Sequence, residues 1–151
     1  RQSNRAVIPT IITQIASGNK ELKLGSLSPT RDFNFVEDTC SAFLAIARSK
    51  KTYGEIINCS SNFEISIGDT AKLIADVMNA NVHIKSDIER IRPKDSEVNR
   101  LYGDNKLLKQ ITDWDPKYIG IDGFKKGLKK TAEWFSNNKN LEFYKINSYA
   151  I

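Results

Sequence analysis

Along this chain the spacing of apolar residues switches repeatedly between a helical period and a two-residue period, and that alternation limits the fold more than any other feature. Val7, Ile8, Ile11, Ile12 and Ile15 recur at helical spacing, with Pro9 acceptable in a first turn and Ser17-Gly18-Asn19 as the stop. Leu22-Lys23-Leu24 alternates as a short strand, and Gly25 to Pro29 is loop. Phe33, Phe35 and Val36 make a short apolar run, and a helical pattern begins at Glu37/Asp38, carboxylates that suit the positive end of a helix dipole. Ala42, Phe43, Ile46 and Ala47 give that helix its stripe to about Arg48, with Cys40 as a small core residue.

Tyr53-Gly54 is a turn, and Glu55 to Cys59 reads as a strand. Ser66 and Asp69 have the spacing of a helix cap, ahead of the stripe Leu73, Ile74, Val77 and Met78. Val82 and Ile84 alternate as an edge strand, and residues 86–103 are charged and irregular. Asp104 caps a short helix with Leu107, Leu108 and Ile111, stopped by Trp114 and Pro116. Ile121, Phe124, Leu128, Thr131, Ala132 and Phe135 define a last helix with a Lys-rich opposite face, ended by Asn137-Asn138. Helices alternating with strands argue α/β, with too few strands for a self-contained doubly wound sheet.

Size and charge narrow the function classes. The 151 residues, 40% hydrophobic and 27% charged, are enough for one globular domain. A formal charge of +5 suits a polyanionic ligand, nucleic acid or a phosphate-bearing small molecule, though from charge alone a mildly basic solvated surface is the favoured reading. Cys40 and Cys59 form no CxxC, and His83 has no ligand-spaced companion, so neither a disulfide framework nor a metal site is expected and a reducing cytoplasm is. No apolar run reaches membrane-spanning length, no signal peptide opens the chain, and no membrane partner is expected. Arg1 in place of an initiator Met suggests a processed chain or a piece of something longer. There is no GxGxxG, no P-loop and no Ser/His/Asp set.

Arg31 stands where a loop meets a strand-helix corner, a mount from which a guanidinium can grip a phosphate; pairing with Asp32 or another carboxylate is the simpler reading of that residue alone. Resemblance goes further. Thr30-Arg31-Asp32-Phe33-Asn34-Phe35-Val36-Glu37-Asp38 resembles the RD-F-V-D segment of the extended short-chain dehydrogenase/reductase family, the NAD-dependent nucleotide-sugar epimerases and dehydratases. Similar matches follow in consistent order over residues 1 to about 136: Arg1-Gln2-Ser3, Ala6 to Pro9, Leu22 to Gly25, Gly54 to Asn58, Ile65 to Ile67, Arg92-Pro93-Lys94-Asp95, Asp104 to Lys106 and Trp114 to Pro116. Within the family, residues 1–6 and 24–32 look most like the 4,6-dehydratases of legionaminic acid type synthesis, which act on nucleotide-linked N-acetylglucosamine; many relatives carry Asn where Ala6 stands.

The resemblance implies a fold: the C-terminal, substrate-binding portion of such an enzyme, with a few short strands and about five helices and lacking most of the Rossmann sheet. Residues 1–138 would be that portion and 139–151 a tail of uncertain structure. It places the glycine-rich NAD loop and the Tyr-x-x-x-Lys pair upstream, so no catalytic or NAD-binding residue is assigned here, and the complete enzyme would be a homodimer. It assigns Arg31 and Arg92 to the diphosphate, Asn58 near the phosphates, Asp95 to ribose hydroxyls, the Val7 backbone to the substrate, and Leu22, Lys23 and Leu24 to the base. The plainer alternatives are a loop salt bridge for Arg92 with Glu89 or Asp95, a turn role for Asn58 and core packing for Leu22 and Leu24. By the same resemblance the helix near 38–48 and the strand near 55–58 return to the absent sheet, leaving an exposed edge. Two other functions stay open: a 4-epimerase of the same family, and a non-enzymatic basic module using Lys125, Lys126, Lys129 and Lys130, though its basic residues lack interleaved aromatics. The base, uracil or guanine, is open as well.

Overall fold

Leu22 and Leu24, two positions apart, face the same side of the first strand, and one layer of the molecule is built over them. The computed structural model describes residues 6–91, 93 and 96–141. Its elements run α1 (Val7–Ala16), β1 (Glu21–Leu24), β2 (Thr30–Asp32), α2 (Val36–Arg48), β3 (Glu64–Ser66), α3 (Ile67–Val77), β4 (His83–Ser86), α4 (Lys106–Ile111), α5 (Gly120–Phe135) and α6 (Asn138–Leu141). Short 3₁₀ turns lie at Lys50–Thr52 and Ile88–Arg90. The α/β class, with few strands, is as the sequence led us to expect. The expected boundary at 138 falls on the first residue of α6, and the tail beyond 141 lies outside the described residues.

The contacts divide the chain into two units, one of residues 1–29, 66–99 and 128–151, the other of 30–65 and 100–127. In the first, β1 pairs in parallel with β4, with Leu22 opposite Ile84. Parallel strands need a long crossover, and the chain between them includes α3. α1 packs on α3 and β1, burying Ile11, Ile12, Ile74 and Leu22. Pro9 sits in the first turn of α1, where its missing N–H would have had no helical acceptor. Gly18, at φ 81°, turns the chain out of that helix, a conformation a side chain would resist. Ser66 caps α3 as its spacing suggested: its hydroxyl accepts from Asp69 N at 3.0 Å and donates to the Asp69 carboxylate at 2.7 Å.

The second unit is arranged around α2 and the short β2–β3 pair. Ala42, Ala45, Leu108 and Trp114 form its buried cluster. An aromatic group sits beside it: Phe33 stacks on Phe124 at 5.6 Å, and Phe35 meets Tyr118 at 4.3 Å. Gly127 lets Phe35 lie against α5, since an added Cβ would come within 3.0 Å of the ring. The cap position of α4 is Asn105, one residue beyond the expected Asp104, whose carboxylate still accepts from Lys106 N at 2.9 Å.

Three expectations change. Glu55 to Cys59 forms no strand, since no described strand pairs with it, and Ile56 is 92% exposed. On α2, Ala42 and Ala45 point inward onto Leu108 and Trp114 with Ile46 packed beside them, while Phe43 (69% exposed) and Ala47 face out. Cys40 shares that outer surface and is exposed, not core. With no strand at 55–59, the expected exposed strand edge is not formed there.

Candidate functional site

Arg31 occupies the middle of β2, half-buried, and donates from Nη1 to the carbonyl of Thr30 at 2.8 Å. That carbonyl also accepts from Leu101 N at 3.1 Å, and the Thr30 hydroxyl donates to Glu64 at 2.9 Å. Arg100 grips the same Glu64 carboxylate with two nitrogens, at 2.6 and 2.9 Å, and lies 5.0 Å over the Tyr102 ring. These bonds hold the Glu64 carboxyl below the usual carboxylate range, the Arg100 hydrogen bond being the largest cause, and raise the Arg100 guanidinium in turn. The neighbour Asp32 spends its carboxylate on the backbone: Oδ1 accepts from Ser61 N and its hydroxyl at 2.9 and 2.6 Å, Oδ2 from Asn62 N and Gly103 N at 3.0 and 3.3 Å.

Asn58 is exposed on the loop leading into β3. The same loop is fixed by Asn34, whose Nδ2 donates to Cys59 O at 2.8 Å. Arg31 and Asn58 thus belong to the second unit. Val7, Leu22, Lys23 and Leu24 belong to the first, where Val7 opens α1 half-buried and the other three make up most of β1. Leu22 is 0% exposed and Leu24 lies in the core with it, so their side chains pack inward, and of the three predicted base-pocket residues on β1 only Lys23 presents its side chain outward. Core packing is what those leucines do here. The Lys23 backbone is itself held: Gln14, nearly buried, accepts from Lys23 N at 2.9 Å and donates to Lys23 O at 3.3 Å, taking the place of a missing strand. Arg92 and Asp95 lie outside the described residues.

Buried polar residues to which the sequence assigned no such role do much of the positioning. Asp38, 5% exposed, accepts from Lys117 N and Tyr118 N at 2.8 Å each, and Trp114 Nε1 donates to the Asp38 carbonyl at 3.1 Å. Asn105 donates to the Ser60 carbonyl at 2.8 Å. Their backbone partners come from distant segments, so no local spacing announces these bonds. The Cys59 thiol is pushed up by burial first, then by the charges of Asp38 and Asp32.

A cavity of about 320 Å³ in the first unit is lined by Ile15, Lys20, Met78, Asn79 and neighbours, and holds none of the expected site residues. It opens at the carbonyl ends of α1 and α3, the wrong pole for a phosphate. Among the described residues no group of three side chains could hold a metal, and no helix is long and apolar enough to cross a membrane. NAD needs a glycine-rich turn between a strand and a helix; at the β3–α3 junction Gly68 stands alone, with no run of glycines, so the described residues do not fit it. A Tyr-x-x-x-Lys spacing does occur, unnoticed in the sequence, at Tyr102 and Lys106. Tyr102 precedes α4 instead of lying on it, and Lys106 pairs with Asp104 at 3.7 Å, so the two do not share a helix face.

Comparison with known proteins places this geometry. The sequence model of the GDP-mannose 4,6-dehydratase family matches residues 1–131. Human dTDP-D-glucose 4,6-dehydratase is 29% identical over 143 residues, covering 90% of this chain and 39% of its own length. The UDP-N-acetyl-alpha-D-glucosaminuronate decarboxylase of Bacillus cytotoxicus is 31% identical over 138 residues, covering 89% of this chain and 41% of its own. Among solved structures, dTDP-glucose 4,6-dehydratase from Bacillus anthracis, in complex with NAD, superposes with a TM-score of 0.75 at 26% identity, over 95% of this chain and 42% of that one. The chain thus spans about two-fifths of the length of the relatives it matches. With most of its length matched by the family's model, the chain belongs to the GDP-mannose 4,6-dehydratase family of nucleotide-sugar dehydratases and epimerases.

Proposed function

We propose that this chain is the substrate-binding part of an NAD-dependent nucleotide-sugar 4,6-dehydratase of the legionaminic acid type, acting in the cytoplasm as a homodimer on UDP- or GDP-linked N-acetylglucosamine. The family match over residues 1–131 carries the reading. Arg31, mounted on β2 beside the locked Asp32, supplies the permanent planar charge that suits a diphosphate. Arg92 serves the same diphosphate, Asn58 the phosphates, Asp95 the ribose, and Lys23 with the β1 and Val7 backbones the remainder of the nucleotide. Hydride and proton transfers belong to the part of the enzyme that binds NAD, so the 151-residue chain by itself turns over no nucleotide-sugar and binds no NAD. Calorimetry showing stoichiometric NAD binding by this chain would overturn that division of labour.

A 4-epimerase is the second reading, favoured by the likeness to the UDP-N-acetylglucosamine 4-epimerase of Methanobrevibacter ruminantium, with a TM-score of 0.75 at 26% identity over 89% of this chain and 42% of that one. Incubating the full-length protein with UDP- and GDP-N-acetylglucosamine and weighing the products separates the two. A dehydratase yields a keto sugar lighter by one water; an epimerase yields a product of unchanged mass.

A further inference from the structure

We infer that Asp32 is a positioning residue for Arg31 and for the loop that carries Asn58, an inference that rests on the reading of Arg31 as a diphosphate ligand. Consecutive amides at Ser61 and Asn62 converge on one Asp32 carboxylate at 2.9 and 3.0 Å, with Asn62 in the left-handed region at φ 57°. Successive N–H groups in such a turn form a concavity for an anion, and here the anion is a side chain of the protein. The Ser61 hydroxyl adds a bond of 2.6 Å to the same carboxylate and accepts from Phe63 N at 3.2 Å.

The loop is gripped from the other side too. Asn105, 2% exposed, holds the Ser60 carbonyl at 2.8 Å, and Gly103 leaves the space that Ser60 fills, since an added Cβ at 103 would overlap the Ser60 side chain. Asp32 thereby ties three segments together: β2, residues 61–62 and Gly103. Successive residues of a strand point to opposite faces. Fixing Asp32 toward the loop therefore fixes Arg31 toward the other face of β2, and it anchors the chain three residues after Asn58. Asp32 touches no ligand itself; it decides where two ligand groups stand.

A double-mutant cycle tests this on the full-length protein, with calorimetric affinity for UDP and GDP as the readout. Asp32→Asn keeps the size but turns an amide NH₂ toward backbone donors, and binding should weaken about tenfold. The Arg31→Ala, Asp32→Asn double variant should lose less than the sum of the two single losses, because part of the carboxylate's effect runs through the guanidinium and the rest through the Asn58 loop. Ser66→Ala removes a helix cap in the other unit and should lower the melting temperature while leaving affinity unchanged. If Asp32→Asn fails to fold, Ser61→Ala serves in its place; it removes the 2.6 Å bond to Asp32 together with the hydroxyl's local bonds to Phe63, leaves the Asp32 carboxylate on the Ser61 and Asn62 amides, and should give a smaller loss of the same non-additive kind. Additive losses, or parent-like affinity in a folded Asp32→Asn, overturn the positioning role and leave the site reading standing. Parent-like affinity in Arg31→Ala overturns both.

Discussion

The unit built on α1, α3 and the β1–β4 pair is held by apolar side chains, whereas the unit around α2 and β2–β3 is held largely by carboxylates that capture backbone amides. Ile11, Ile12, Leu22 and Ile74 are fully buried in the first. In the second, Asp38 and Asp32 take amide hydrogens from residues as far along as Tyr118 and Gly103, over a core of two alanines, a leucine and a tryptophan. Most of the exposed large apolar side chains also belong to the second unit, Phe43 and Ile56 among them. A small core with an uncovered apolar surface leaves direction-specific hydrogen bonds to fix the loops, and those loops carry Arg31 and Asn58.

Isosteric replacement should separate the two most strongly. Leu22→Ala should cost about 2–5 kcal/mol, yet Leu22→Met less than about 1.5, since apolar packing accepts a swap of similar volume. Asp38→Asn is as close in shape, but it points an NH₂ at the Lys117 or Tyr118 amide and should still cost about 1–3 kcal/mol. Denaturant unfolding measures both; an Asp38→Asn variant as stable as the parent would break the contrast.

Next in size is self-association of the isolated chain through the uncovered surface of α2 and Ile56. Sedimentation should depend on concentration, and Phe43→Ser with Ile56→Ser should remove that dependence. A strictly monomeric profile at all concentrations counts against it. A smaller effect distinguishes the thiols. Exposed Cys40 should react rapidly with an alkylating probe at mildly alkaline pH, and Cys59 slowly, because its thiol is pushed up. Equal rates would contradict this, as would a dominant Cys40–Cys59 bridge in unreduced protein.

The smallest effect is on acid stability. Glu64 and Asp69 have carboxyls lowered below their ordinary 4.5 and 3.8, so the stability they confer is present above those values and lost as pH falls through the lowered ones. Arg100→Ala should flatten the Glu64 share of that acid loss in the second unit and leave the Asp69 share in the first. A melting profile below pH 4.5 identical to the parent's would place the Glu64 bond outside the stability account.

The same contrast explains what the sequence revealed. The first unit was legible: α1, β1, α3 and β4 announce themselves through periodicity, and the Ser66 cap through its spacing to Asp69. The second was legible only in part. β2 and β3 are three residues each, too short to show a period, and the apolar stripe on α2 was misassigned because apolar spacing alone does not tell which of two adjacent stripes packs inward. Asp32, Asp38, Gln14 and Asn105 gave no local signal, since each bonds backbone far away in sequence. Arg31 was found by family resemblance, not by chemistry visible around it.

The central claim is that Arg31 binds the diphosphate of a nucleotide-sugar. The most direct measurement is UDP and GDP affinity of the full-length protein carrying Arg31→Ala or Arg31→Lys, with the fold checked by thermal melting. Loss of charge-assisted bonds of roughly 1.5–3 kcal/mol predicts a tenfold to hundredfold weaker complex for alanine. Lysine should restore little, because it keeps the charge without the planar fork. Affinity equal to the parent's in Arg31→Ala would contradict the account and leave Arg31 a structural residue that braces its own strand through the Thr30 carbonyl.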